Sequence, residues 1–557
     1  MRNHHSFQRL SNLFSASAAL ALGLAACGGS DGTTAPATPP VITVQPQSLS
    51  IGEGGSGTVS VSATSDGGAI AYQWFNVSTS TNIAGGTAAS LVFGPISLAA
   101  NGTQYNVGLS NTGGTTTSMT GMLSVSERSW HLMGIPLASG VRQLATVVDS
   151  NGHTHLLAVT GNNLAAGVAA RIKLKSNDAA NEFVVPGNAA LQASENLGSG
   201  TPTTSISAVA NGSGHVMAAW HRNGIVGAAL YTPGSDPAAP GSWQLLPTRI
   251  NAFSSSSALD VTVAALGNTE FEFAWRERIS PSGAHDIMTR RYTIGSNTLG
   301  TSVNIENQAA ETEAPRMVSD AAGNVLVAWR QIGLGVVVNR RLAGAPWTTA
   351  LTAVDVPGLA LEVLRANANG KAILLTSDRV GTASATRLDL AATVPLLASG
   401  AVVANAYGSA PDALVDNNDR IHVFGVSVNT GGGNVSRLFR WVFVPGTGWG
   451  AAEAVSDINP GNFLSTGLGV YGPQVSGNDA EGNFIVSWQD RLSGGDNPSS
   501  EVRARRFHAG LNAWRSIARV GDNSTNLPLR LTLDTQGSST LVSAESQGQS
   551  VQSPAFY

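Results

Sequence analysis

A ten-residue phrase, DAAGNVLVAW from Asp320 to Trp329, recurs in worn form eight times between residue 141 and the C-terminus. Each copy opens with a turn. Asp or Asn at its first position can bond nearby backbone amides, and Gly at its fourth accepts positive φ. After the turn comes a β-branched, apolar run of the length of a buried strand. The turns are DSNG ending at Gly152, NGSG at Gly214, ALG at Gly267, DAAG at Gly323, NANG at Gly370, DNND at Asp419, DAEG at Gly482 and DTQG at Gly537. Ala264 replaces the Asp in the third and Asp419 the Gly in the sixth, so these two hairpins are expected to turn differently. Successive turns lie 47 to 63 residues apart, room for four short strands but too irregular for a solenoid coil. That is the arithmetic of a β-propeller blade, and it predicts an all-β chain with an eight-bladed propeller over residues 128–557.

Within each unit there is then a third strand, such as VVVNRRL or VRARRFH, and a fourth opened by tryptophan: Trp243, Trp347, Trp449 and Trp514. Tryptophans this regular read as packing between blades rather than as sugar platforms, since burying each large ring against the next sheet stabilises both. The last unit runs out of chain before its fourth strand. Residues 129–136, SWHLMGIP, stand ahead of the first unit and carry Trp130, so they are expected to complete the last blade. The units resemble the repeats of bacterial surface proteins with kelch-like or sialidase-like propellers, which implies architecture more than activity.

The chain has 557 residues, 42% hydrophobic and 12% charged, with 64 glycines, a composition suited to loop-rich all-β structure and far from a disordered one. Residues 1–26 carry Arg2 and Arg9 and then an apolar, small-residue stretch, the pattern of a secretory signal. The formal charge of -4 becomes -6 when those two arginines leave with the leader, so no basic surface for nucleic acid is implied. The leader ends Leu24-Ala25-Ala26-Cys27-Gly28, which resembles the lipobox of bacterial lipoproteins. That resemblance implies cleavage before Cys27, acylation of this sole cysteine, and, with Gly28 rather than Asp next, an outer-membrane location. Residues 27–40 read as a flexible tether. Residues 41–127 alternate with period two in VITVQ, TVSVSAT, IAYQWFNV, SLVFG, QYNVGLSN and GMLSVS, a small β-sandwich. It resembles bacterial immunoglobulin-like domains, with Trp74 as the core tryptophan, Tyr105 as the tyrosine-corner residue, and Val61 and Val107 where a disulfide would stand. Its expected role is a stalk.

Few residues suggest chemistry. The turns offer one carboxylate each, apart from Asp416 and Asp419 in DNND, and so read as turns rather than calcium loops. His153 and His155 share a strand face but have no third ligand nearby in sequence. Glu270 and Glu272 also share a face, expected to be solvated, and a catalytic carboxylate pair is the less favoured reading. In the sialidase Asp box the Gly follows the Asp by two, and here it follows by three. No nucleophile elbow, zincin, phosphate-loop or dinucleotide motif is present. No cofactor, metal or catalytic residue is therefore assigned. The remaining signal is arginine at the ends of the second strands: Arg222, Arg276 with Arg278, Arg330, Arg379 and Arg491. Converging on the channel mouth, they would suit an anionic ligand. Paired with neighbours such as Glu277, Asp378 or Asp490, they would only satisfy loops. The function expected is binding of an envelope glycan or protein. The alternatives are a polysaccharide-cleaving enzyme of glycosidase or lyase type, or a structural scaffold.

Overall fold

The computed structural model describes residues 36–557 apart from 54, 95, 97, 127–129, 136–140, 151, 161–167, 174–182, 185–204, 223, 235–241, 252–257, 280–282, 349–351, 354–358, 379–381, 393–395, 405–409, 430–434, 459–468, 492–499, 523–529, 534–538, 545–550 and 557. The chain is all-β, an immunoglobulin-like sandwich followed by an eight-bladed β-propeller. Cys27, Arg379 and Gly537 lie outside the described residues.

Two compact units are distinguished. One comprises the described residues up to Pro46, Ser60–Ser90 and Tyr105–Thr120; the other comprises Gln47–Val59, Leu91–Gln104 and Gly121–Tyr557. In the first, Ala71–Asn76 lies antiparallel to Gln104–Asn111, and Val41–Val44 to Ser62–Thr64. Trp74 is fully buried there, its indole N–H donating to the Ala88 carbonyl at 2.9 Å, with the buried Tyr105 ring 6.1 Å away. Val61 and Val107 are buried as well, so apolar packing does the work that a disulfide would otherwise share. In the second unit Leu49–Gly52 pairs in parallel with Gly121–Ser126, and the buried Glu53 beyond it meets Arg515 at 3.0 Å. The sequence pattern does not reveal Leu49–Gly52, which is too short, or Gly114–Thr117, which is too polar to alternate visibly.

From Trp130 onward the described strands pair into eight antiparallel sheets of four or five strands, each a meander. Blades 1 to 8 begin with the strands Val141–Val148, Ser205–Ala210, Leu259–Leu266, Arg316–Ser319, Ala360–Ala366, Asp412–Val415, Gly469–Val475 and Arg530–Leu533. Each first strand packs beside the next, and that of blade 8 beside that of blade 1, so the ring closes. Blade 8 takes its fourth strand from Trp130–Ile135, which pairs with Val551–Phe556 from Trp130↔Phe556 to Ile135↔Val551. The expected exchange of strands between the two ends is thus observed, and it removes an open edge from the sheet. The apolar clusters lie between adjacent blades; one joins Ala264 and Ile287 of blade 3 to Val325, Trp329 and Val337 of blade 4.

The turns explain why these segments form hairpins. Asp320 accepts the N–H of Asn324 on Oδ1 at 2.9 Å, and its own carbonyl accepts the N–H of Gly323, which sits at φ +86°. Asn211, Asn367, Asp416 and Asp479 repeat the side-chain bond to the residue four ahead. The sixth turn departs from expectation: Asp419 adopts φ +60° and keeps the same bonds, because a short Asp side chain tolerates the left-handed region. The third does turn differently, through a loop at Gly267–Thr269. The fourth strands also differ from the expectation of one continuous strand each. In blades 3, 6 and 7 they form two short pieces, such as Ala513–Trp514 and Ala518–Asp522 on the same partner strand.

Candidate functional site

The strand register places one column of residues between blades. The residue opposite the first apolar residue of the second strand is Tyr231 in blade 2, Tyr292 in blade 3, Leu388 in blade 5, Phe443 in blade 6 and Phe507 in blade 7. In blades 2, 6 and 7 this aromatic ring packs on the fourth-strand tryptophan, with centroids 5.5, 5.4 and 5.1 Å apart. A residue of the preceding blade closes each joint: His155 on Tyr231, Arg387 on Phe443 and Arg440 on Phe507. Blade 4 breaks the column. Opposite Val325 stands Arg341, its guanidinium 5.4 Å from the Trp347 ring.

A guanidinium in an apolar joint needs a counter-charge, and blade 3 supplies it. Glu272, on the second strand Glu270–Glu277, meets Arg341 at 3.0 Å and Arg291 at 3.5 Å, while Glu270 meets Arg291 at 3.2 Å. Glu272 and Arg341 are buried, 2% and 5% exposed. The expected solvated pair is therefore corrected: Glu270 is half-buried, and Glu272 faces the joint because its strand lies against blade 4. Burial pushes the Glu272 carboxyl above its ordinary value, against the opposite pull of Arg341, Arg291 and a hydrogen bond from Trp347. Burial likewise lowers Arg341, against Glu272.

A cleft of about 580 Å³ opens beside Arg341 and Glu272. Glu272, Arg291, Thr301, Glu306, Arg341 and the half-buried Trp347 are among its walls. One buried polar atom on these walls, Arg341 Nε, has no hydrogen-bond partner among the described residues, whereas the Glu306 carboxyl lies in hydrogen-bond reach of Asp286. Glu306 holds its proton unusually well, its pKa raised to about 7 by burial and by the nearby Asp286 against backbone N–H donors. This set can hold a ligand that lays an apolar face on an indole and offers acceptors to a guanidinium.

The second-strand arginines sit elsewhere. Arg276 binds Asp260 through Nε at 2.8 Å, the Thr312 carbonyl at 2.7 Å, and Glu311 at 3.8 Å. Arg330 pairs with Glu313, so residues 311–313 gather two of the predicted arginines. Arg278 lies half-buried just past its strand, its Nε without a partner among the described residues. Arg491 ends its strand opposite Gly469, and Arg222 ends its own opposite Ile225; the Arg222 side chain is outside the described set. The neighbouring acids serve other groups: Glu277 accepts the Trp275 indole N–H at 2.9 Å, and Asp490 meets Arg503 at 3.0 Å. His155 is buried and bonded to Asp149 at 2.9 Å, and His422 repeats this with Asp416 at 3.2 Å. Sequence reasoning missed Arg341, Glu306 and Asp286. The one available signal was the arginine pair in VVVNRRL, and aligning it with RRY of blade 3 puts Arg341 one residue out of register.

No family model and no curated protein matches the chain. Several solved structures resemble parts of it. A chimeric titin Z1Z2 carrying a decorin peptide is 22% identical, covering 16% of this chain and 97% of its own, at a TM-score of 0.14. The SapL1 lectin in complex with alpha methyl fucoside is 12% identical, covering 58% and 97%, at 0.32. An ulvan lyase of a polysaccharide lyase family, bound to -[GlcA(1-4)Rha3S]-, is 11% identical, covering 76% and 95%, at 0.36. At scores this low the fold rests on the strand pairing itself.

Proposed function

We propose that the protein binds a saccharide in the cleft between blades 3 and 4. The observation that carries this reading is Arg341 in place of the aromatic joint residue, held against a half-open Trp347 by the buried Glu272. A sugar ring offers an apolar C–H face for the indole and acceptors for the guanidinium. The cleft volume falls in the range of small-ligand sites. Binding is the reading taken because Glu272, one of the two carboxyls on the cleft walls, is committed to Arg341, Arg291 and Trp347. The test is a glycan array with the mature chain, followed by calorimetry of any ligand found. Trp347→Ala should weaken binding at least about tenfold, the loss of roughly 1.4 kcal/mol, whereas Arg330→Ala should not. The reverse result would move the site to the second-strand ends.

The proposed setting is the cell envelope, with Cys27 acylated, residues 28–40 as tether and the immunoglobulin-like domain as stalk. The supporting observation is the leader ending in Leu24-Ala25-Ala26-Cys27. Two or three acyl chains would hold a membrane firmly. Cys27→Ser should abolish labelling by a fatty-acid analogue and release the protein from membranes; a variant that still takes up label overturns the anchor.

A further inference from the structure

The cleft is rich in charge, and its positive charge is already neutralised. Arg291 and Arg341 stand on its walls with Glu272 and Glu306. Glu270 adds a third carboxylate, 3.2 Å from Arg291. Asp286 is a fourth: Ile305 donates its N–H to the Ile287 carbonyl at 2.9 Å, and one step further along this pairing Glu306 comes beside Asp286. A third guanidinium, Arg290, bonds the carbonyl of the wall residue Gly300 at 2.7 Å and that of Ile250 at 3.0 Å. Four carboxyls thus stand against three guanidiniums, and an anion entering the cleft meets no surplus of positive charge.

Arg291 is the wall cation that an acidic ligand would reach. Its side chain is 34% exposed, whereas that of Arg341 is 6%. Glu270 holds it. One carboxylate oxygen of Glu270 accepts Arg291 Nη1 at 3.2 Å and the other accepts the Thr293 hydroxyl at 3.1 Å, which fixes the carboxylate against the guanidinium. Glu272 lies farther from Arg291, at 3.5 Å, and is shared with Arg341. The remaining donor is Arg341 Nε, buried on the wall and without a partner among the described residues. It suits a neutral acceptor such as a hydroxyl, carried by a ligand whose apolar face lies on Trp347. An ammonium group, by contrast, meets wall carboxyls that are already engaged: Glu272 takes Arg341, Arg291 and Trp347, and Glu306 takes the N–H of Gln308.

We propose that the cleft takes an uncharged saccharide, and that Glu270, by occupying Arg291, is the residue that shuts acidic saccharides out. The proposal rests on the saccharide reading of the cleft. A sulfate ester or carboxylate on the sugar must displace Glu270 from Arg291 or lie beside it, and like charges a few ångström apart at a half-exposed site cost about tenfold in affinity. The hydroxyls of a neutral sugar meet no such repulsion, so the same carboxylate that leaves one ligand untouched rejects the other. Because Glu270 and Arg291 are both partly exposed, salt screens this repulsion.

The experiment probes the mature chain, at low salt, with an array of neutral oligosaccharides, each beside its O-sulfated, uronate and amino-sugar counterparts. The bound set is expected to be neutral, each member at least about tenfold stronger than its acidic counterpart. Calorimetry then compares the strongest neutral glycan with its sulfated form. Glu270→Gln, which can still accept the Thr293 hydroxyl, frees Arg291; it should leave the neutral affinity within about twofold of wild type and raise that for the sulfated form about tenfold. High salt should narrow the gap in wild type in the same direction. Trp347→Ala should weaken the neutral ligand at least about tenfold. The melting temperature confirms that the variants are folded. Acidic or amino glycans bound as well as neutral ones through Trp347, or a gap that neither Glu270→Gln nor salt changes, overturns the proposal and leaves saccharide binding in the cleft standing. No bound glycan, or binding indifferent to Trp347→Ala, overturns the cleft itself.

Discussion

Glu272→Gln would leave Arg341 buried in the joint between blades 3 and 4 without its counter-charge, and the cost can be set from the geometry. Arg341 is 5% exposed and its partner carboxylate lies 3.0 Å away. Breaking a buried pair from one side destabilises by roughly 3–5 kcal/mol, because the remaining ion has no water to return to. Removing the other partner is different. In Arg341→Met, Glu272 keeps Arg291 at 3.5 Å and the Trp347 indole, and the cost should fall to roughly 1–2 kcal/mol, the scale of lost hydrogen bonds. Replacing both, as Glu272→Leu with Arg341→Met, removes the buried charge and restores an apolar joint like that around Phe443 and Trp449, and should be nearly neutral. The assay is the urea midpoint of the mature chain and the three variants at pH 7. The expected order, from most to least destabilised, is Glu272→Gln, Arg341→Met, double variant. Equal losses in the two single variants, or additive losses in the double, would refute the argument that Glu272 is present to neutralise Arg341.

Three further outcomes are expected. Gly370 sits at φ +76°, and a Cβ there would lie 2.7 Å from Asp320 Oδ2 on the neighbouring blade, whereas Gly267 at φ +56° meets nothing within 4 Å; both alanine variants bear the left-handed strain of about 1–2 kcal/mol, but Gly370→Ala should lose visibly more in the urea midpoint, and equal losses would refute the contact. Deleting residues 129–136 removes the closing strand of blade 8 and should lower the melting temperature, so an unchanged melt would sink that role. Burial holds His422 below its ordinary value despite its bond to Asp416. The unfolded chain therefore takes up the proton first, and stability present above about pH 6.5 is lost as the pH falls below it. His422→Gln, which can still donate to Asp416, should flatten the fall of melting temperature between pH 7 and 5, and a fall as steep as in wild type would exclude this histidine as its source.

Whatever depends on residues close along the chain was legible in the sequence. The turn from Asp320 to Gly323 closes through bonds that span three or four residues, so its signature survives intact in six of eight copies, and the eight together set the number of blades. The alternation around Trp74 and the missing fourth strand of the last unit gave the sandwich and the partner of Val551–Phe556 for the same reason: a strand's period and an unpaired edge are properties of one segment. The cleft was not legible. Glu272 and Arg341 belong to different blades, and nothing local tells a carboxylate on a strand whether its face meets water or the next sheet. Arg276 finds Asp260 and Glu311 rather than its neighbour Glu277, which Trp275 occupies. Asp286 and Glu306 come together only because the last stretch of blade 3 folds back along its third strand. Burial and pairing of charge are decided by which surfaces the closed ring presses together, and that is a tertiary quantity with no period in the sequence.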